Sequence, residues 1–282
     1  MDMKSKNVEY LKKDYLKSNF FKDKFNDDYR LFEIKEVNDL TNIFLKKLHK
    51  DLNISCKIDE IASLHTKIDD NLKIYDQEFG VNKISKIFSE MPKSFHYKYI
   101  GILKTHVRNI IGQDFFFQLN PTIRVQVPHS SSSAFYPFYH SDIQNGHPPY
   151  MINIWIPLNP PSPSEGHGFN IAPLNNSMEV YKNYNFDIFQ IQKDRRKIGF
   201  SLDGASTKQN FDYGYISLFD ARRMHSTIAL KNHVRVSMDL RIVPVNIFKK
   251  FNRKYESVFG RRFMVFEPGG YYQSQSIDNY KI

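Results

Sequence analysis

The stretch FYPFYHSDIQ, residues 135–144, places His140 and Asp142 two positions apart. Imidazole nitrogen and carboxylate oxygen both ligate divalent transition metals, and in an extended chain residues two apart project to one side, so a single ion can take both. A second His-x-Asp occurs at His49-Lys50-Asp51. There Val37, Leu40, Phe44 and Leu48 recur three and four apart, which is the helical period. Positions two apart on a helix diverge by about 200°, so His49 and Asp51 are expected as solvent-face charges. The chemistry therefore centres on His140 and Asp142, and it needs a third ligand. His225, in FDARRMHSTIAL, follows the apolar run GYISLF where the chain turns and is the best placed. His147 and His167, in Pro/Gly-rich loops, are alternatives without a paired carboxylate.

Ten residues after His225 comes Arg235, with Ser237 on the same face of the alternating run HVRVSMDLRIVP and Val234, Val236 and Met238 on the other. Two imidazoles and one carboxylate on one face of an octahedral ion leave adjacent positions open, the arrangement of non-haem Fe(II) oxygenases. A 2-oxoacid can chelate through two of these positions. An arginine one strand away offers a planar fork to its far carboxylate, and a neighbouring hydroxyl adds a hydrogen bond. Arg241 lies on the same strand face and is the alternative carboxylate partner.

Periodicity predicts the secondary structure that carries these groups. Residues 1–113 read as helical, ending in FHYKYIGILKTHVRNIIGQ, where Ile100, Leu103, Val107 and Ile110 mark one face and Gly112 is a helix stop. From Phe115 the period changes to two. PTIRVQVP alternates Arg124 and Gln126 against Ile123 and Val125, and YMINIWIPL, apolar on both faces, reads as a central strand. GFNIAPLNNSMEVY reads as a short strand leading into a turn, so residues 114–245 form short strands with almost no helix, the pattern of a sandwich, jelly roll or barrel. His140 and Asp142 are expected in strand geometry just before the central strand. Residues 246–282 add a helix, NIFKKFNRKYESVFG, and an aromatic tail, FMVFEPGGYYQSQ, that can cover an opening.

His140-x-Asp142, distal His225 and Arg235-x-Ser237, in that order, resemble the iron(II)- and 2-oxoglutarate-dependent dioxygenases. HSDIQNGHPPYMINIWIPL, GFNIAPLNNS and HVRVSMDLRIVP look most like the phytanoyl-CoA hydroxylase-like branch and its bacterial relatives in antibiotic and sugar-derivative biosynthesis. The resemblance covers about residues 120–245. It implies a mainly β fold with α, a double-stranded β-helix (jelly-roll) core preceded by N-terminal helices. It also implies Fe(II) on His140, Asp142 and His225, 2-oxoglutarate on Arg235 and Ser237, and O2 as oxidant, with succinate and CO2 released as a substrate is hydroxylated, desaturated or cyclised. Relatives that halogenate lack the carboxylate present here as Asp142, which speaks against halogenation.

Other residues have two readings each. Asn153 and Trp155 share one face of MINIWIPL and either contact the co-substrate or form plain core. Arg124 and Gln126 either reach the bound acids or line an exposed sheet face. Arg222 and Arg223, before the distal His, either bind an anionic substrate or are solvated loop arginines. His129 and the serines of residues 130–133 form a mouth loop, with or without a lid's role. Cys56 reads as inert.

Length and composition bound the rest. The chain has 282 residues, 41% of them hydrophobic, with 24 Phe and 17 Tyr, enough for one large folded domain. A single cysteine leaves no intrachain disulfide and no multi-cysteine zinc site. No apolar run of membrane length and no signal peptide is visible, so a cytoplasmic protein without membrane contact is expected. The net charge of +10 admits an anionic substrate, but it also accords with an AT-rich genome's Lys, Asn and Ile, and the basic residues appear scattered toward the termini. The expected partner is a polar small molecule. A non-redox metal-binding jelly roll, such as a cupin-like isomerase or binding module, and a hydroxylase of nucleic acid or protein are the competing functions.

Overall fold

The computed structural model describes residues 3–17, 19–25, 29–78, 80–130, 137–162, 168–210, 212–251 and 268–281. Among these the strands are β1 (Tyr29–Glu33), β2 (Tyr75–Asp76), β3 (Val81–Asn82), β4 (Phe115–Phe117), β5 (Thr122–Gln126), β6 (Ile152–Pro157), β7 (Gly168–Ile171), β8 (Thr207–Asn210), β9 (Tyr215–Asp220), β10 (His225–Thr227) and β11 (Arg235–Pro244).

The long strand β11 organises the larger sheet. β6 pairs along one of its edges, while β5 and β4 share the other, β5 against residues 235–239 and β4 against residues 242–244. β9 lies beyond β6 and β1 beyond β9, all antiparallel. A smaller antiparallel sheet, β10-β7-β8, makes the second layer. Strand alternation gives the larger sheet two unlike faces. Val236, Met238, Leu240 and Ile242 of β11, Ile152, Ile154 and Ile156 of β6 and Ile123 and Val125 of β5 enter one apolar core. Arg235, Ser237, Asp239 and Arg241 of β11, Asn153 and Trp155 of β6 and Arg124 of β5 line a cavity.

Helices close the apolar face. Helix Val37–Leu52 buries Val37, Leu40, Phe44 and Leu48, as their period predicts. The helix beginning Lys93–Ile102 continues through a π turn, Leu103–Val107, into Arg108–Ile111. Ile100, Leu103 and Val107 are buried as expected, but past the π turn Ile111 is the fully buried residue and Ile110 only packs partly against the core. The wider turn inserts one residue and rotates the buried stripe by that amount. Gly112 ends the helix at φ 72°, with its N–H donating to the Arg108 carbonyl, a left-handed cap that a residue without Cβ adopts at no steric cost.

Three expectations need correction. The N-terminal region is not purely helical: β1 is a strand of the main sheet, because YRLFE is short and loses its helical alternatives once paired on β9. Residues 114–245 are not nearly helix-free. Helices Leu174–Asn183, Ile188–Lys193 and Arg195–Asp203 separate β7 from β8. The sequence signal was there in Leu174, Ser177, Val180 and Tyr181, buried at helical spacing, but Pro173 and the Asn175-Asn176 pair in the first turn read as a turn rather than as a helix start. Finally, His140 is not in a strand. It makes a single bridge to His225, and Asp142 opens a 3-10 turn, Asp142–Asn145.

The predicted C-terminal helix is seen over Val245–Phe251, and the continuation to residue 267 lies outside the described residues, as do His167 and residues 131–136 of the mouth loop. The end of the aromatic tail runs along the free edge of β4. Leu119 N–H donates to the Tyr271 carbonyl and Gln273 N–H to the Phe117 carbonyl, which covers backbone that would otherwise be an open sheet edge. No described helix is long and apolar enough to cross a membrane.

Candidate metal centre

His140 and His225 are joined through their backbones before any ligand is considered. His140 N–H donates to the His225 carbonyl at 3.0 Å and His225 N–H to the His140 carbonyl at 2.8 Å. Ser141 is extended at φ −117°, ψ 158°, so His140 and Asp142 project to one side as strand residues would, without a strand. That link is itself held. Ser141 N–H donates to Gln144 Oε1 at 3.0 Å, and the Ser141 hydroxyl lies 2.6 Å from that of Tyr181. The outcome is a His140, Asp142, His225 group whose ligand atoms all lie within 4.8 Å of one another.

Each imidazole is oriented by its own backbone neighbour. The Nδ1 of His140 lies 3.2 Å from the Phe138 carbonyl, and that of His225 lies 3.2 Å from the Arg223 carbonyl. A carbonyl only accepts, so Nδ1 carries the proton in both rings and Nε2 is left as the lone-pair donor. Burial, and for His140 the charge of His225, lower both imidazoles below their ordinary value. Burial alone would raise the Asp142 carboxyl. The Arg241 guanidinium, whose Nε donates to Asp142 Oδ2 at 2.9 Å, overrides this and holds it well below the carboxylate range. Two neutral imidazoles and an ionised carboxylate are the protonation states that metal binding requires, so this donor set fits a divalent ion.

Arg235 and Ser237 line the same cavity as the three ligands. The Arg235 guanidinium donates to the Gly168 carbonyl and to Gln126 Oε1, both neutral acceptors, and lies 5.9 Å from the Trp155 ring centre. Its position is set by Asn159 just beyond β6. That side chain accepts from Val236 N–H at 2.7 Å and donates to the Val234 carbonyl at 3.2 Å, bracketing Arg235. Beside the arginine, Trp155, Phe169 and Phe219 form an aromatic wall, with Phe219 and Phe169 5.4 and 5.8 Å from the His225 ring.

The structure brings Asn153, Trp155 and Arg124 into the cavity, with Gln126 buried behind Arg235. The polar face of β5 is thus an interior face, not a solvent one. Arg124 pairs with Asp239, one residue pair along from Ser237, so its charge is already matched. Arg241, the alternative clamp, is engaged with Asp142. Arg222 and Arg223 are buried, not solvated. Arg222 makes a two-pronged pair with Asp220 and donates to the Tyr15 carbonyl at 2.9 Å, and Arg223 donates to the Ala172 carbonyl at 2.8 Å. His147 is buried against Tyr271, outside the ligand group. His49 faces Ser55, and Asp51 pairs with Lys47 on the surface helix. Sequence reading overlooked Asp239, Phe219 and Thr227 as cavity residues. For Asp239 and Thr227 the two-residue steps from Ser237 and His225 were the available signal.

No protein-family model matches the chain, and no curated protein matches it. Among solved structures, EctD from S. alaskensis with 2-oxoglutarate and 5-hydroxyectoine is similar at a TM-score of 0.50 and 14% identity, over 87% of this chain and 82% of that one. The same protein with bound Fe gives 0.49 at 16% identity, over 92% and 83%. SnoK, a non-heme alpha ketoglutarate dependent carbocyclase from nogalamycin biosynthesis, gives 0.47 at 14%, over 84% and 86%. At these identities the likeness is one of fold. The chain is a mainly β protein with α, a double-stranded β-helix core preceded by helices.

Proposed function

We propose that this chain is an Fe(II)- and 2-oxoglutarate-dependent oxygenase that hydroxylates, or otherwise oxidises, a polar small molecule. The observation that carries this is the convergence in one cavity of the His140, Asp142 and His225 group with Arg235 and Ser237. The S. alaskensis structure of the same fold holds 2-oxoglutarate, which supports the reading. The ordered motifs, which resemble the phytanoyl-CoA hydroxylase-like branch, favour a small-molecule substrate over a macromolecule.

His140 and His225, each ring fixed by its Nδ1 bond to a carbonyl, would hold the metal through Nε2, and Asp142 would supply the anionic ligand. When bound there, Fe(II) with O2 and 2-oxoglutarate supplies oxidation of a C–H bond coupled to release of succinate and CO2. Arg235 receives the far carboxylate of the co-substrate as a fork, and Ser237 donates its hydroxyl beside it. Arg235 donates to the Gly168 carbonyl and to Gln126 Oε1, and a carboxylate offers it a charge-assisted bond stronger than one to a neutral acceptor. Trp155, Phe169 and Phe219 keep water from the reacting centre, which strengthens each of these electrostatic contacts.

Anaerobic titration with Fe(II) and 2-oxoglutarate tests this. The chelated oxoacid gives a weak visible charge-transfer band, lost in His225→Ala and requiring at least about tenfold more 2-oxoglutarate in Arg235→Ala. Metal binding by the wild type without any band would overturn the oxygenase reading in favour of a non-redox metal protein.

A further inference from the structure

The cavity around the three ligands is small, about 60 Å³. At roughly 10–15 Å³ per water this holds a handful of water-sized groups, room for a small acid and little else. The bulk of any substrate must lie outside it. A second cavity of about 420 Å³ lies next to it, lined in part by Phe138, Arg195, Arg196, Phe200, Lys208 and Thr227. Thr227 lines both cavities. It stands two residues after His225 on β10, on the same strand face and about 7 Å along. Phe138 stands two residues before His140 and provides the carbonyl that orients that ring. The outer groove therefore begins one strand step from two of the three ligands, on both chain segments that carry them.

Its lining has three cations, Arg195, Arg196 and Lys208, against one carboxylate, Asp203. The two guanidinium groups lie 4.6 and 5.8 Å from the Phe138 ring centre. Among the described residues no hydrogen bond or ion pair is made by either. Both sit in the first turn of helix Arg195–Asp203, which has no acidic residue there. The helix dipole disfavours cations at that end, so their placement serves local stability badly. Local rules of this kind are broken at functional positions. Phe200, 83% exposed, adds an apolar wall to the same groove.

We propose that this groove binds the substrate by a phosphate group, and that the substrate is a small organic phosphate monoester. Its organic part lies on Phe138 and Phe200 and reaches past Thr227 to the metal centre. Two planar forks and an ammonium suit a doubly charged oxyanion with three equivalent acceptor oxygens better than a carboxylate with two. The volume falls within the range of about 300–1,000 Å³ typical of small-molecule sites. The proposal rests on the oxygenase reading for what happens to the substrate, but not for where the phosphate binds.

The test is calorimetric titration of the full-length metal-free protein with phenyl phosphate, set beside benzoate and a twelve-residue thymidine oligonucleotide. Phenyl phosphate should bind more tightly than benzoate, and Arg195→Ala/Arg196→Ala should weaken it at least about tenfold. The same variant should keep the wild-type band with Fe(II) and 2-oxoglutarate, which shows that it is folded and that the co-substrate site is separate. Binding that is absent, that is equal in variant and wild type, or that 2-oxoglutarate displaces would overturn the proposal. Preferential binding of the oligonucleotide would overturn it too and make the groove a nucleic-acid surface. Phosphate binding lost in the variant alongside a missing band in the wild type would keep the groove and discard the oxygenase reading.

Discussion

Asp142 is paired with one cation and placed to meet a second. Its Oδ2 accepts from Arg241, which also reaches Gln118 Oε1 at 3.3 Å and the Tyr271 hydroxyl at 3.2 Å. The arginine compensates the buried carboxylate, and a metal on the three ligands would do so again. Arg241→Met should therefore cost the metal-free protein about 3 kcal/mol, the penalty for stranding a buried charge. Saturating divalent metal should return part of it. Urea unfolding with and without metal reads this directly, and equal losses in both would mean that no metal engages Asp142. This partnership was hard to foresee. The His140, Asp142 and His225 group and the Arg235-x-Ser237 pair were legible because they need only strand alternation and chemical type. The choice between Arg235 and Arg241 depended on what each meets across the sheet, which one strand's pattern does not state. Arg195 and Arg196 went unnoticed for a related reason. They lie in the stretch 114–245 where almost no helix was expected, so their nearness to Phe138 had no local sign.

At the scale of elements, side chains repeatedly stand in for missing strand partners. Asn82 and Ser85 cover the free edge of β5, donating to the Val125 carbonyl at 2.8 Å and accepting from its N–H at 2.9 Å. Asn159 does the same for residues 234 and 236. Asn159→Ala removes both bonds, and a loss of about 1–3 kcal/mol is expected. Because those bonds bracket Arg235, 2-oxoglutarate binding should weaken while Fe(II) binding holds; titration of each alone separates the two. Gly112→Ala tests the helix stop and should cost about 1 kcal/mol, the strain of a Cβ at positive φ, read as a shift in thermal midpoint. Helix stops and strand faces were readable from sequence. The π turn that moves burial from Ile110 to Ile111 was not, since Leu103–Val107 carries no residue that demands it.

For the whole molecule, the buried histidines set an acid limit. Burial holds His140, His147 and His225 below their ordinary value of 6.5. They stay neutral in the fold, whereas the unfolded chain takes up their protons near that value. More protons are bound when unfolded, so stability rises with pH in the window below about 6.5 and levels off above it, at up to about 1.4 kcal/mol per pH unit for each group. The thermal midpoint of metal-free protein should fall between pH 7 and pH 5, and His140→Asn/His225→Asn should flatten the slope; an unchanged slope would mean that other groups dominate it. The mutual backbone bonds of His140 and His225 bear on a different quantity, the entropy of ligation. They close the chain from residue 140 to residue 225 on their own, so an arriving ion finds the loop already shut and has almost no disorder to remove. The amide protons of these two histidines should then exchange slowly with solvent before metal is added, and metal should slow them little further. On that expectation the candidate site is shaped by the backbone, and its folding does not wait for an ion.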